Sequence, residues 1–172
     1  MLLYVGKSAG PLGGAVGSST DQEASSNAST DWMMARANET AFWQFINPIA
    51  PTRRTLAWSN VCKMDQLGGR RPPTLGMWRS VAEVSVAALR DELTALSPHV
   101  ALFVTSAFGK AEMDAMLSEL GYCPQSTPID HLARVSKTSA GRYAVQTRHP
   151  QGWQRAPRDE VRAYVARLLL AV

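Results

Sequence analysis

Leu2-Leu3-Tyr4-Val5, followed by Gly6-Lys7-Ser8-Ala9-Gly10-Pro11-Leu12-Gly13, is the stretch on which the fold turns. Four apolar residues closed off by glycine and proline have the look of a short strand buried on both faces, as found in a parallel sheet covered by helices. The pattern recurs. Thr55 to Val61 is a second candidate strand, with Trp58-Ser59-Asn60 at its chemistry-bearing end. His99 to Ser106 reads as a central strand, and Arg142 to Thr147 as another that leads into Arg148-His149-Pro150-Gln151-Gly152. Leu132 to Val135 adds a candidate edge strand, with a turn at Ser139-Ala140-Gly141.

Helical patterns separate these runs. Val81, Val84, Leu89, Leu93 and Leu96 recur at helical spacing, predicting a helix over Ser80 to Leu96 that Ser97-Pro98 stops. Lys110 to Leu120 reads as a helix closed by Gly121 at the position after its cap. Pro157 suits the first turn of a last helix ending near Leu170. Thr40 to Ile46 is a short amphipathic piece broken by Pro48 and Pro51, and Ser29 or Thr30 is placed to cap another starting at Asp31. The Gly/Ser-rich stretch at about 9–29 reads as a long loop of functional or mobile character. Strands alternating with helices predict an α/β fold: a three-layer α/β/α sandwich around a short, mainly parallel sheet.

At 172 residues, 45% of them hydrophobic, the chain is most simply one domain spanning 1–172. Eighteen Lys plus Arg against fourteen Asp plus Glu leave a net charge of +4, which permits a polyanionic partner without requiring one. Cys62 and Cys123 form no CxxC pair, so neither a metal nor another cofactor is expected, and a reduced intracellular setting fits. No apolar run reaches the ~20 residues of a membrane span. Met1 to Val5 is too short for a signal peptide, so a cytoplasmic or nucleoid-associated protein is expected.

Two motif matches fail on context. Gly6-Lys7-Ser8 imitates the end of a phosphate-binding loop, but the first glycine of that pattern falls at Met1. Gly6-Lys7-Ser8-Ala9-Gly10 also matches G-x-S-x-G, and Ser8, Asp130 and His149 follow the chain order of an α/β-hydrolase triad. A nucleophile elbow must pass directly into a helix, and Gly10-Pro11-Leu12-Gly13-Gly14 is a poor helix start, so the serine hydrolase stands only as a distant alternative.

In an open α/β sheet the loops at the strands' carboxyl ends surround one crevice. The three segments around Ser8, Asn60 and His149 should meet there. Together they resemble the uracil-DNA glycosylase superfamily. Gly6 to Gly13 is similar to the first motif of its single-strand-selective monofunctional branch, Gly-x-Asn-Pro-Gly-Pro-Phe-Gly. Ser59-Asn60-Val61-Cys62 resembles that branch's Asn-Leu-Cys stretch, and His149-Pro150-Gln151 the His-Pro-Ser motif near the C-terminus.

The resemblance implies hydrolysis of the N-glycosidic bond of uracil or a damaged pyrimidine, by flipping the nucleotide into a pocket. Asn60 would read the base edge with its carbonyl and amide. His149 would stabilise the departing base, and Ser8 or nearby carbonyls would position water. Gly6, Lys7 and Gly10 would line the site, with Phe42 or Trp43 stacking on the base. Gln151, Trp153 and Arg155 would meet DNA, Trp153 either as a wedge or packed on the last helix. Arg53, Arg54, Arg70 and Arg71 are candidates for a basic rim or for a solvated surface. The partner is DNA, possibly single-stranded, or a free nucleobase, with no membrane and no obligate protein partner. Ser8 stands where relatives often carry Asp or Asn, Ala9 where they carry Pro, and Lys7 where one branch carries Glu. A member that binds a base or nucleic acid without catalysis is therefore the alternative.

Overall fold

The computed structural model describes residues 1–8, 40–50, 56–63, 74–151 and 153–171, with Lys7 and Ser8 described in their backbone alone. Among them the order is β1 (Leu2–Ser8), α1 (Ala41–Ile46), β2 (Leu56–Cys62), α2 (Leu75–Leu96), β3 (Val100–Phe103), α3 (Lys110–Glu119), β4 (Cys123–Gln125), β5 (Ala133–Lys137), β6 (Tyr143–Thr147) and α4 (Arg155–Leu170). The six strands form one sheet in the order β2-β1-β3-β6-β5-β4. β2, β1, β3 and β6 run parallel, and β5 and β4 add an antiparallel flank.

Strand alternation divides the core. Leu2, Tyr4, Val100, Leu102 and Val145 face Trp43, Phe45 and Ile46 of α1 and Val161 and Val165 of α4. Leu3, Val5, Ala101, Phe103 and Ala144 face Trp78, Leu89 and Leu93 of α2 and Met113, Met116 and Leu117 of α3. The result is a three-layer α/β/α sandwich. None of the described helices is long and apolar enough to cross a membrane.

Local chemistry sets the boundaries. Thr40 caps α1 by accepting from Trp43 N–H at 3.4 Å, and Thr74 caps α2 by accepting from Met77 N–H at 3.2 Å. Ser97 ends α2 in the left-handed region, at φ 44°, directly before Pro98. Gly121 takes φ 79° after α3, where a side chain would be strained.

Several expectations need correction. β1 does not stop at Val5: the ladder to β2 pairs Gly6 with Asn60 and Ser8 with Cys62, carrying the strand through the presumed turn. Asn60 lies within β2, inside the Thr55-to-Val61 strand that the sequence predicts. α2 begins at Leu75 rather than Ser80: Thr74 caps it, and Trp78, buried in the core one turn before Val81 and Ala82, extends the apolar face towards the N-terminus past an exposed Leu75 and Gly76. β5 is not the edge; it lies between β6 and β4, and the edge is Cys123–Gln125. The loop at 9–29, the helix at Asp31, and Arg53, Arg54, Arg70 and Arg71 lie outside the described residues.

Candidate functional site

β1 lies between β2 and β3, so successive connections leave it on opposite sides and the sheet's switch point falls at its carboxyl end. Gly6 and Asn60 sit there as register partners. Alternation from Tyr4 and Trp58 puts both on the α1 face, where Phe42 lies. A β-carbon on Gly6 would come 2.6 Å from Asn60 Oδ1 and 3.2 Å from Phe42 Cε2. Only glycine lets the carboxamide and the ring close over this strand. Asn60 is buried, at 8% exposure.

Phe42 links this pair to the third segment. Its ring stacks on Tyr4, with centroids 4.1 Å apart and planes 26° apart, and lies 6.1 Å and 24° from the His149 imidazole. Tyr4 fixes the arrangement by donating its hydroxyl to Phe42 O at 2.8 Å. Burial pushes that phenol well above its ordinary pKa, a rise that the Arg162 charge opposes, so Tyr4 stays a neutral donor.

His149 is held through its backbone and one ring nitrogen. Its N–H donates to Ser106 Oγ at 3.1 Å, and Ser106, in the left-handed region at φ 56°, donates its own N–H to Thr147 O at 3.1 Å. Nδ1 accepts from Gln151 N–H at 3.2 Å. In a neutral imidazole this assigns the proton to Nε2, which makes that atom the donor.

The structure thus gathers Gly6, Phe42, Asn60 and His149. Lys7 and Ser8 occupy the last two positions of β1, with their side chains, like Gly10, outside the described residues. Gln151 is exposed and contributes its backbone N–H. Trp43 is fully buried in the core and is not available for stacking on a base. Trp153 is half-buried, 6.4 Å from Phe45 and packed against the α1/α4 core, so the packing alternative describes it better than a projecting wedge. Arg155 is largely solvated at the start of α4, 3.5 Å from Asp159.

Among the described residues, Asp130 and His149 do not form the carboxylate–imidazole pair that a triad needs. Asp130 accepts from the hydroxyl and N–H of Thr127 and from the Ser126 hydroxyl, bonds that lower its pKa, the Thr127 hydroxyl most. His149 Nδ1 accepts a hydrogen bond from Gln151 N–H, where a triad histidine would donate its Nδ1–H to a carboxylate.

Two contributors were missed: Tyr4, two residues before Gly6 and hence on the same face, and Ser106 at the end of the third run. On the opposite face Lys63 Nζ lies 2.6 Å from Ser59 Oγ and 2.7 Å from both Glu92 carboxylate oxygens, while Lys63 N–H donates to Ser85 Oγ at 3.2 Å. These bonds tie the end of β2 to α2. Comparison with protein-family models finds none that matches the chain, and comparison with curated proteins finds no relative.

Proposed function

We propose that the protein hydrolyses the N-glycosidic bond of uracil or a damaged pyrimidine in DNA, with the flipped base lying between the Asn60 carboxamide and the His149 imidazole. The observation that carries this reading is that Asn60 and Phe42 close over a glycine whose added β-carbon would collide with both, with the His149 ring 6.1 Å from that of Phe42. A carboxamide offers an acceptor beside a donor, the complement of a uracil edge. Phe42, backed by Tyr4, supplies an aromatic wall.

In the reaction, water adds to C1′ as the glycosidic bond breaks, and its electron pair leaves with the base. The developing oxyanion accepts a hydrogen bond from His149 Nε2–H, and the proton lost by the water passes to solvent. A neutral donor suits this role, since it can stabilise the anion without first losing a proton. The test is base release from uracil-containing single-stranded DNA, read as alkali-labile strand breaks. Wild type should release base, and His149→Ala and Asn60→Ala should each lower the rate about 100-fold or more. Ser8, which cannot serve as an anionic base, favours a second reading, a nucleobase binder without catalysis. Tight binding of that DNA with no released base at any pH would select it.

A further inference from the structure

Among the described residues two cavities adjoin at the end of β6. The larger, about 600 Å³, is lined by Thr105, Ser106, Lys110, Arg134 and Gln146 among others. The smaller, about 300 Å³, is walled by Trp153, Gln154 and Pro157. His131, Leu132 and Arg148 line both, which makes them one groove. Neither cavity is lined by Asn60 or His149, yet Arg148 immediately precedes His149.

The charges in this groove differ in their commitments. Lys110 and Arg134 both bind Asp114, and Arg134 also holds Gln146. Asp130, on the wall of the larger cavity, is bonded to Thr127 and Ser126, and His131 lies 3.7 Å from Glu160. Arg148 is exposed and makes no ion pair among the described residues, so its charge remains available at the junction. Beside it, Trp153, Leu132 and Pro157 give the smaller cavity an aromatic and apolar wall, with His131 and Gln154 as its polar lining. A free guanidinium next to an aromatic hollow is the pairing that holds single-stranded nucleic acid.

We propose that this groove holds the nucleotide adjoining the one whose base is read by Asn60 and His149. Arg148 takes the phosphate between the two, and the Trp153–Leu132–Pro157 hollow takes the neighbouring base. The placement rests on the base-site reading, but the groove's affinity for a strand does not depend on catalysis. Since the neighbouring base must leave its stack and its pair, the partner is single-stranded DNA rather than a duplex.

The experiment measures binding of a fluorescent eight-residue oligothymidylate, which contains no uracil, by anisotropy over a series of salt concentrations. Arg148→Gln should weaken binding about tenfold and lower the salt slope by about 0.7, the loss of one phosphate contact on a single strand. Trp153→Ala should weaken it at least about fivefold while Trp153→Phe retains most of the affinity. Arg90→Gln, on α2, should leave it unchanged. Equal affinity for wild type and Arg148→Gln, or duplex bound as tightly as single strand, overturns the proposal. Arg148-dependent binding without base release from a uracil strand leaves the groove standing and removes the glycosidic reading; base release without Arg148-dependent binding does the reverse.

Discussion

Ser59 and Asn60 are neighbours on β2, and strand alternation sends them to opposite faces with opposite uses. On the α2 face, Ser59, Lys63 and Glu92 are occupied with one another. On the α1 face, Asn60 lies against a glycine and an aromatic ring, with a second segment bringing in an imidazole. The first is an anchor built from charges; the second is built from neutral groups suited to a flat, uncharged heterocycle. One strand end is fixed from behind so that its front can be held in place. If this division is right, damage in front should cost function more than stability, and damage behind should do the opposite.

The largest functional effect is expected from Gly6→Ala. The added methyl collides with Asn60 Oδ1 and crowds Phe42, so the carboxamide must move. Displacement of about an ångström costs on the order of 100-fold in rate, whereas the overpacking penalty should stay near 1–2 kcal/mol. Single-turnover base release and urea denaturation on the same preparation separate the two. A variant that unfolds before it loses function would erase the distinction between the faces.

Lys63→Ala is the mirror experiment. It leaves Glu92 and Ser59 in a half-buried site without their cation, and about 1–3 kcal/mol of stability should be lost. Base release per folded molecule should fall by less than about tenfold. A loss as large as that of Gly6→Ala would mean that the anchor belongs to the chemistry.

Asp114→Asn should be milder, about 1 kcal/mol, because the carboxylate is about a third exposed and solvent screens its pairs. Its clearer signature is in acid. Burial pushes the Asp114 carboxyl up, but hydrogen bonds from Arg134, Lys110 and Gln146 and the Arg134 charge outweigh it, leaving a pKa of about 2 against an ordinary 3.8. A folded-state pKa below the unfolded one contributes stability that is complete above about pH 4 and disappears as pH falls towards 2. Melting temperatures between pH 5 and 2 should fall less steeply in Asp114→Asn than in wild type.

Legibility in the sequence followed the source of each signal. Buried runs such as Leu2 to Val5 announced the parallel strands, and Ser97-Pro98 and Gly121 marked helix ends, because burial and backbone geometry restrict residue choice there. Gly6-Lys7-Ser8 resembled a turn, yet ladder bonds to β2 keep it extended; pairing with a distant strand leaves no local trace. β4 escaped notice because Cys123-Pro124-Gln125 is exposed and contains a proline, which an edge strand tolerates and an apolar pattern cannot reveal. The segments carrying Asn60 and His149 could be named from their positions at the ends of strands. The backing of Phe42 by Tyr4, the hold of Ser106 on His149 and the groove at Arg148 arise from tertiary contacts, which spacing along the chain does not encode.

The central claim is that Asn60 and His149 address one heterocycle. The direct measurement is a titration of ¹⁵N-labelled protein with uracil, following the Asn60 side-chain amide and the His149 ring signals by NMR. The account predicts that both shift along a single saturation curve and that Gly6→Ala abolishes both changes. Shifts in neither group at saturating uracil, or in one group alone, would contradict it.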